Sequence, residues 1–220
     1  MNRKLYFLSY VIILISIAGT AVMMYFMPDT VPVHYNFQGE VDRFGSKFEH
    51  LLWPAVTGVM GLILIPVANH TRKKGSFKDE KVLLYTTLFT LIFMTGIGFY
   101  FMYKAITYDP YAVSSSEGIM KFTGIACGIL LICFGLLMPK APLNSSFGLR
   151  TRWSKSSEKV WKQSQFFGGI TSVIGGSLMT LLGASLPEDK VSSAITIILA
   201  FLLCMDIAAT YYFYKKDNEQ

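Results

Sequence analysis

Apolar residues run in six long stretches along the chain, at about 5–27, 51–69, 82–103, 122–138, 166–186 and 192–214, with polar connectors between them. Each stretch is close to the ~17 to 25 residues with which an α-helix crosses ~30 Å of hydrocarbon. The pattern predicts an all-α integral membrane protein with six transmembrane helices, folded as one membrane domain of 220 residues. Two connectors are long enough to carry structure of their own, a loop at 28–50 and a second at 139–165. The short string Pro187-Glu188-Asp189-Lys190 predicts a tight turn that makes the fifth and sixth spans antiparallel neighbours.

Charge then orients the spans, because Lys and Arg accumulate in cytoplasmic connectors while acids count for little. With the N-terminus inside, 15 of the 20 Lys and Arg fall on the cytoplasmic side, leaving outside only Arg43, Lys47, Lys104, Lys121 and Lys190. Both termini are therefore expected in the cytoplasm, 28–50 becomes an external loop, and 139–165 a cytoplasmic one. The formal net charge of +6 is accounted for by this topology, which removes the usual reason to expect a nucleic-acid partner. The first apolar stretch exceeds the ~7 to 15 residues of a secretory signal and ends in Phe26-Met27-Pro28, so a retained span is expected. Cys127, Cys133 and Cys204 all fall inside spans, with no zinc spacing and no external pair.

Within the fifth span Gly168, Ser172, Gly176, Thr180 and Ala184 recur every four residues and form a small-residue stripe. Such a stripe lets helices approach closely and gain van der Waals contact in lipid, so this span is expected at the buried centre of the bundle. Gly124 and Gly128 give the fourth span a shorter signal of the same kind. Pro66 is expected to kink or end the second span. Asp206 is the one acid deep in a span; it reads either as a proton or cation site or as a carboxyl satisfied by neighbouring hydroxyls. Lys121, near the outer edge, reads as an interfacial anchor.

The external loop has two prolines at its start, an extended alternation over 31–37, and turn chemistry over 36–39. His34, Asn36, Gly39 and Asp42 are its candidate ligand-binding residues. They suit a peptide presented from outside; a metal site is disfavoured because no tight ligand spacing is present. In the cytoplasmic loop Ser156 or Ser157 is the expected N-cap of a helix leading into the fifth span. Trp153 and Trp161 suit headgroup depth, and the basic residues suit anionic lipid.

The cytoplasmic string Asn144-x-x-Phe147-Gly148-Leu149-Arg150-Thr151-x-Trp153-Ser154-x-Ser156-Ser157-Glu158-x-Val160-Trp161, ahead of Gly168-Gly169, resembles the signature of the SdpI family of bacterial membrane proteins. The external string Pro32-Val33-His34-Tyr35-Asn36-x-x-Gly39-x-x-Asp42 is similar to the companion domain of unknown function, DUF1648, found at their N-terminus. The resemblance implies a multi-pass protein of the bacterial cell membrane that gives immunity to a secreted peptide toxin. It marks Asn144, Gly148, Arg150, Thr151, Trp153 and Trp161 as the frame of the cytoplasmic motif. Three positions depart from the pattern: Arg152 replaces a usual Pro, Lys155 a usual apolar residue, and Gln165-Phe166 a frequent His-Arg pair.

No nucleophile, base and orienter occur together, and no phosphate-loop or metal-ligand spacing is present, so neither catalysis nor a cofactor is expected. Arg150 beside Gly148 suits a carboxylate or phosphate, or equally a tie to helix-end carbonyls. The leading expectation is non-catalytic binding of a toxin, or shielding of its target. A second is a signalling protein that senses an external ligand and holds a cytosolic regulator. A third is a proton-coupled transporter or intramembrane enzyme using Asp206 and His34.

Overall fold

The computed structural model describes residues 2–109 and 118–219. Its six helices, α1 (Arg3–Phe26), α2 (Leu52–Lys73), α3 (Phe77–Ile106), α4 (Ile119–Leu137), α5 (Glu158–Ser185) and α6 (Glu188–Asn218), are each long and apolar enough to cross a membrane. Helices suit a hydrocarbon environment because they pair their backbone groups within the segment. Several extend past the apolar stretches: α3 begins five residues before 82 and α5 eight before 166. The connectors alternate between two ends of the bundle. One end carries the 28–50 loop and the α5–α6 turn, joined where Ser192 Oγ donates to the Phe37 carbonyl at 2.7 Å. The other carries both described termini, the α2–α3 turn and the 139–165 loop.

The loop at 28–50 adds a small sheet to the helical fold. Strands β1 (Thr30–Tyr35) and β2 (Val41–Ser46) pair antiparallel, with Thr30 opposite Ser46 and Tyr35 opposite Val41. Val31 and Met27 bury against Met102 and Ala105 of α3, and the Tyr35 and Phe101 rings meet edge to face at 5.6 Å. The hairpin is therefore seated on the bundle, further tied by His50, whose buried ring nitrogen Nε2 lies 3.2 Å from the Pro32 carbonyl.

Close helix contact centres on α4 and α5. A Cβ on Gly128 would lie 2.5 Å from the Gly176 carbonyl, and one on Gly135 2.7 Å from that of Gly169, so both pairs bring backbone against backbone. Gly124 likewise lies against Gly183. Of the expected stripe, Gly168, Ser172 and Gly176 are buried and Thr180 is half-buried, but Ala184 is exposed and Gly183 faces α4 instead. The reason is helical pitch: a four-residue step overshoots a 3.6-residue turn by ~40° and drifts off a straight partner, whereas 169, 176 and 183 keep the seven-residue repeat of a shallow crossing. The most enclosed helix is α3, not α5. Pro66 sits inside α2, which continues through it to Lys73.

Candidate functional site

At the hairpin end, Asn36 makes the turn. Its Oδ1 accepts the backbone N–H groups of Gln38 at 3.0 Å and Glu40 at 2.9 Å, while its Nδ2 donates to Glu40 Oε2 at 3.0 Å. This is the side-chain mimicry of a turn at which Asn excels. Gly39 completes it with φ of +86°, in the left-handed region that favours glycine. His34 and Asp42 face each other across the strands, Nδ1 to Oδ1 at 2.6 Å, on the exposed side. Asp29 and Lys47 pair at 2.8 Å where the hairpin leaves the bundle, and the hydrogen bond from Lys47, with its charge, holds the Asp29 carboxyl below its ordinary range.

The four candidate residues are thus brought into one hairpin, and three of them, His34, Asn36 and Asp42, line a cleft of about 510 Å³. Phe37 and Gln38 at the hairpin tip form one wall; Met120 of α4 and Ser192, Ile195 and Thr196 of α6 form the other. The far wall is fixed by Glu188, whose carboxylate accepts the Gly118 N–H at 2.7 Å and the Met120 N–H at 2.9 Å. An acid in the first turn of α6 so caps the start of α4, where a negative charge is favoured. Glu188 was invisible as a functional position in the sequence, since its partners lie about seventy residues away. The free edge of β2 is largely exposed, and the Phe37 ring stands 77% exposed at the cleft mouth.

At the opposite end the 139–165 loop is tied down residue by residue. Trp161 is fully buried and donates its indole N–H to the Ala141 carbonyl at 2.8 Å. Gln165 pairs with the Leu149 backbone through both ends of its amide, and Gly148, at φ +108°, leaves the room that this needs. A Cβ on Gly148 would collide with the Gln165 side chain. Asn144 also has positive φ, +63°, in a tight turn. Thr151 Oγ1 donates to Thr210 Oγ1 of α6 at 3.1 Å, and Trp153 stacks edge-on against Tyr211 with centroids 5.1 Å apart. Ser157 is the N-cap of α5, accepting from Val160 N, and donates to Asp217 Oδ2 at 2.7 Å. Ser145 donates to the buried Asp79 at 2.5 Å. Arg150 is exposed, as are Arg152 and Lys155.

Asp206 is 6% exposed and accepts a hydrogen bond from Thr171 Oγ1 of α5 at 2.8 Å. It is the satisfied arrangement, a hydroxyl supplied by the neighbouring helix. Fourteen residues of α6 separate Asp206 from Ser192 at the hairpin, roughly 20 Å along the axis, so the structure does not bring Asp206 and His34 together. Among the described residues there is no group of three or more His, Cys, Asp or Glu able to hold a metal.

Comparison with known proteins agrees with the two loop motifs. Residues 140–213 match the sequence model of the SdpI/YfhL protein family, and residues 11–58 match that of the domain of unknown function DUF1648. The chain is similar to the immunity protein SdpI of Bacillus subtilis, with 22% identity over 96% of each chain. It is also similar to an uncharacterized protein of Archaeoglobus fulgidus, 42% identical over 43 residues that cover 20% of this chain and 24% of that one. No solved structure matches.

Proposed function

We propose that this chain is an immunity protein of the bacterial cell membrane, with its hairpin end outside, and that the cleft beneath the hairpin receives a membrane-active peptide. The observation that carries the immunity reading is the likeness to an immunity protein along nearly the whole of both chains, through all six helices and both loops. The placement of the peptide rests on geometry. The cleft opens beside exposed Phe37, which offers an aromatic contact to a peptide, and the polar side chains of His34, Asn36 and Asp42 line it. Its walls are held by the Asn36 turn, the Ser192 tether and the Glu188 cap, so a ligand meets a preformed surface. The charge split puts the hairpin end outside, where a secreted peptide arrives. Binding alone then removes the peptide from its target, with no bond made or broken.

The test is survival: a sensitive host expressing the chain withstands peptide challenge, and a host expressing it at equal membrane level without protection contradicts the reading.

A second reading adds signalling to immunity. Arg150, Arg152 and Lys155 stand exposed on a loop whose backbone is fixed by Trp161, Gln165 and Thr151, which makes a rigid basic surface at the cytoplasmic end. Such a surface suits an acidic patch on a cytosolic regulator. Loss of regulator capture in an Arg152→Glu, Lys155→Glu variant, with protection intact, distinguishes it from the first.

A further inference from the structure

Helices α3 and α4 pack sparsely, in contrast to α4 and α5, and a groove runs between them from the motif end toward the bundle middle. Its first part, about 790 Å³, has Lys78 and Lys81 of α3 and Lys140 at the end of α4 around its mouth. Tyr85, Phe89 and Cys133 line its body. A second, almost wholly apolar part of about 270 Å³ continues it, sharing Phe89 and Cys133 and passing Phe93 and Ile129. Beside Gly96 the space is open. From Lys81 to Phe93 the groove follows twelve residues of helix, ~18 Å, close to the depth of one leaflet of a ~30 Å hydrocarbon core.

The acids that could neutralise the mouth are turned elsewhere. Asp79 accepts from Ser145, and Glu80 is fully buried against Asn2 and Arg72. Among the described residues Lys78, Lys81 and Lys140 have no ion-pair partner, and all are exposed. Three unpaired ammonium groups at the head of a leaflet-deep apolar channel match one chemistry: a phosphate headgroup with acyl chains attached. We propose that this groove is a binding site for an anionic phospholipid of the leaflet at the motif end, with its phosphate on Lys78, Lys81 and Lys140 and an acyl chain along Phe89 and Cys133. A soluble anion leaves the channel unfilled, and a zwitterionic lipid leaves the lysine charge uncompensated.

Cys133 reports occupancy from inside the groove, and exposed Cys204 on α6 is a control in the same chain. Maleimide labelling of the purified protein in micelles is followed site by site by mass spectrometry, with phosphatidylglycerol or phosphatidylcholine added. Phosphatidylglycerol is expected to slow Cys133 about tenfold relative to Cys204, and phosphatidylcholine to leave it unchanged, since each surface lysine favours an anionic headgroup. The Lys78→Gln, Lys81→Gln, Lys140→Gln variant should lose this protection, while Lys215→Gln, Lys216→Gln retains it. Equal rates with the two lipids, or loss of protection in both variants alike, overturns the proposal; the wild-type comparison decides it alone if the triple variant does not fold.

Discussion

The side-chain amide of Gln165 closes a ring with the backbone of Leu149, donating from Nε2 to the Leu149 carbonyl at 2.9 Å and accepting the Leu149 N–H at 3.0 Å. A residue on α5 thereby supplies the partner that a strand would otherwise give, and the motif loop needs no sheet to satisfy its backbone. Gln165 is 1% exposed, so both bonds are made away from water. Gln165→Leu should lower stability by about 1 to 3 kcal/mol through the unpaired Leu149 groups. Gly148→Ala should lower it at least as much, since it adds backbone strain at φ +108° to a collision with Gln165. Both are read as a fall in the thermal midpoint of the detergent-solubilised protein, and an unchanged midpoint in either would contradict the pairing.

Much of this is legible in the sequence, and the exceptions share a cause. The spans announce themselves by length and apolarity, and the β1 segment with its Asn36 turn by alternation and turn chemistry. The second strand carries no such signal: Val41–Ser46 reads VDRFGS, is mostly exposed, and is a strand only because the turn returns it alongside β1. Gln165 showed in the sequence merely as a departure from a frequent His, because its partner is the backbone of Leu149 and a backbone leaves no signature in a sequence. Asp79 and Glu80 sit in the first turn of α3, yet their burial depends on Ser145 and Asn2, sixty or more residues away, as well as on nearby Arg72.

The seven-residue glycine seam makes a prediction that a four-residue stripe does not. Gly176→Leu and Gly183→Leu should each disrupt the α4–α5 contact, because both meet α4 backbone, whereas Ala184→Leu, on an exposed position, should be tolerated. Thermal midpoints of the purified variants check this; equal losses at 183 and 184 would place the contact on the other face.

Asp206→Asn should leave protection and membrane level close to wild type, because an amide oxygen accepts the Thr171 hydroxyl as a carboxylate does. Asp206→Leu should be the more damaging change, because it removes the hydrogen bond between α5 and α6 and leaves the Thr171 hydroxyl only the Gly168 carbonyl of its own helix. Complete loss of protection in Asp206→Asn at normal membrane level would instead make the carboxyl's proton functional.

Sidedness is open to direct labelling. Cysteines introduced at Gln38 and Lys155, both exposed, should react with an impermeant maleimide from opposite faces of intact cells and inverted vesicles, Gln38 from outside. Reaction of both from one face would end the six-span topology with cytoplasmic termini.

The most direct test of the account is binding of a labelled peptide, one against which the chain gives survival, to the purified protein in lipid. Phe37 is the variant to use at the cleft, because Asn36 is occupied in holding the turn, and its replacement would unmake the hairpin along with any contact. Phe37→Ala should weaken binding about tenfold at unchanged thermal midpoint, as loss of an exposed aromatic anchor does. Arg150→Ala, ~30 Å away across the bilayer, should bind as wild type. Wild-type affinity in Phe37→Ala, together with lost binding in Arg150→Ala, would contradict an external receptor and move the peptide's site to the opposite end of the bundle.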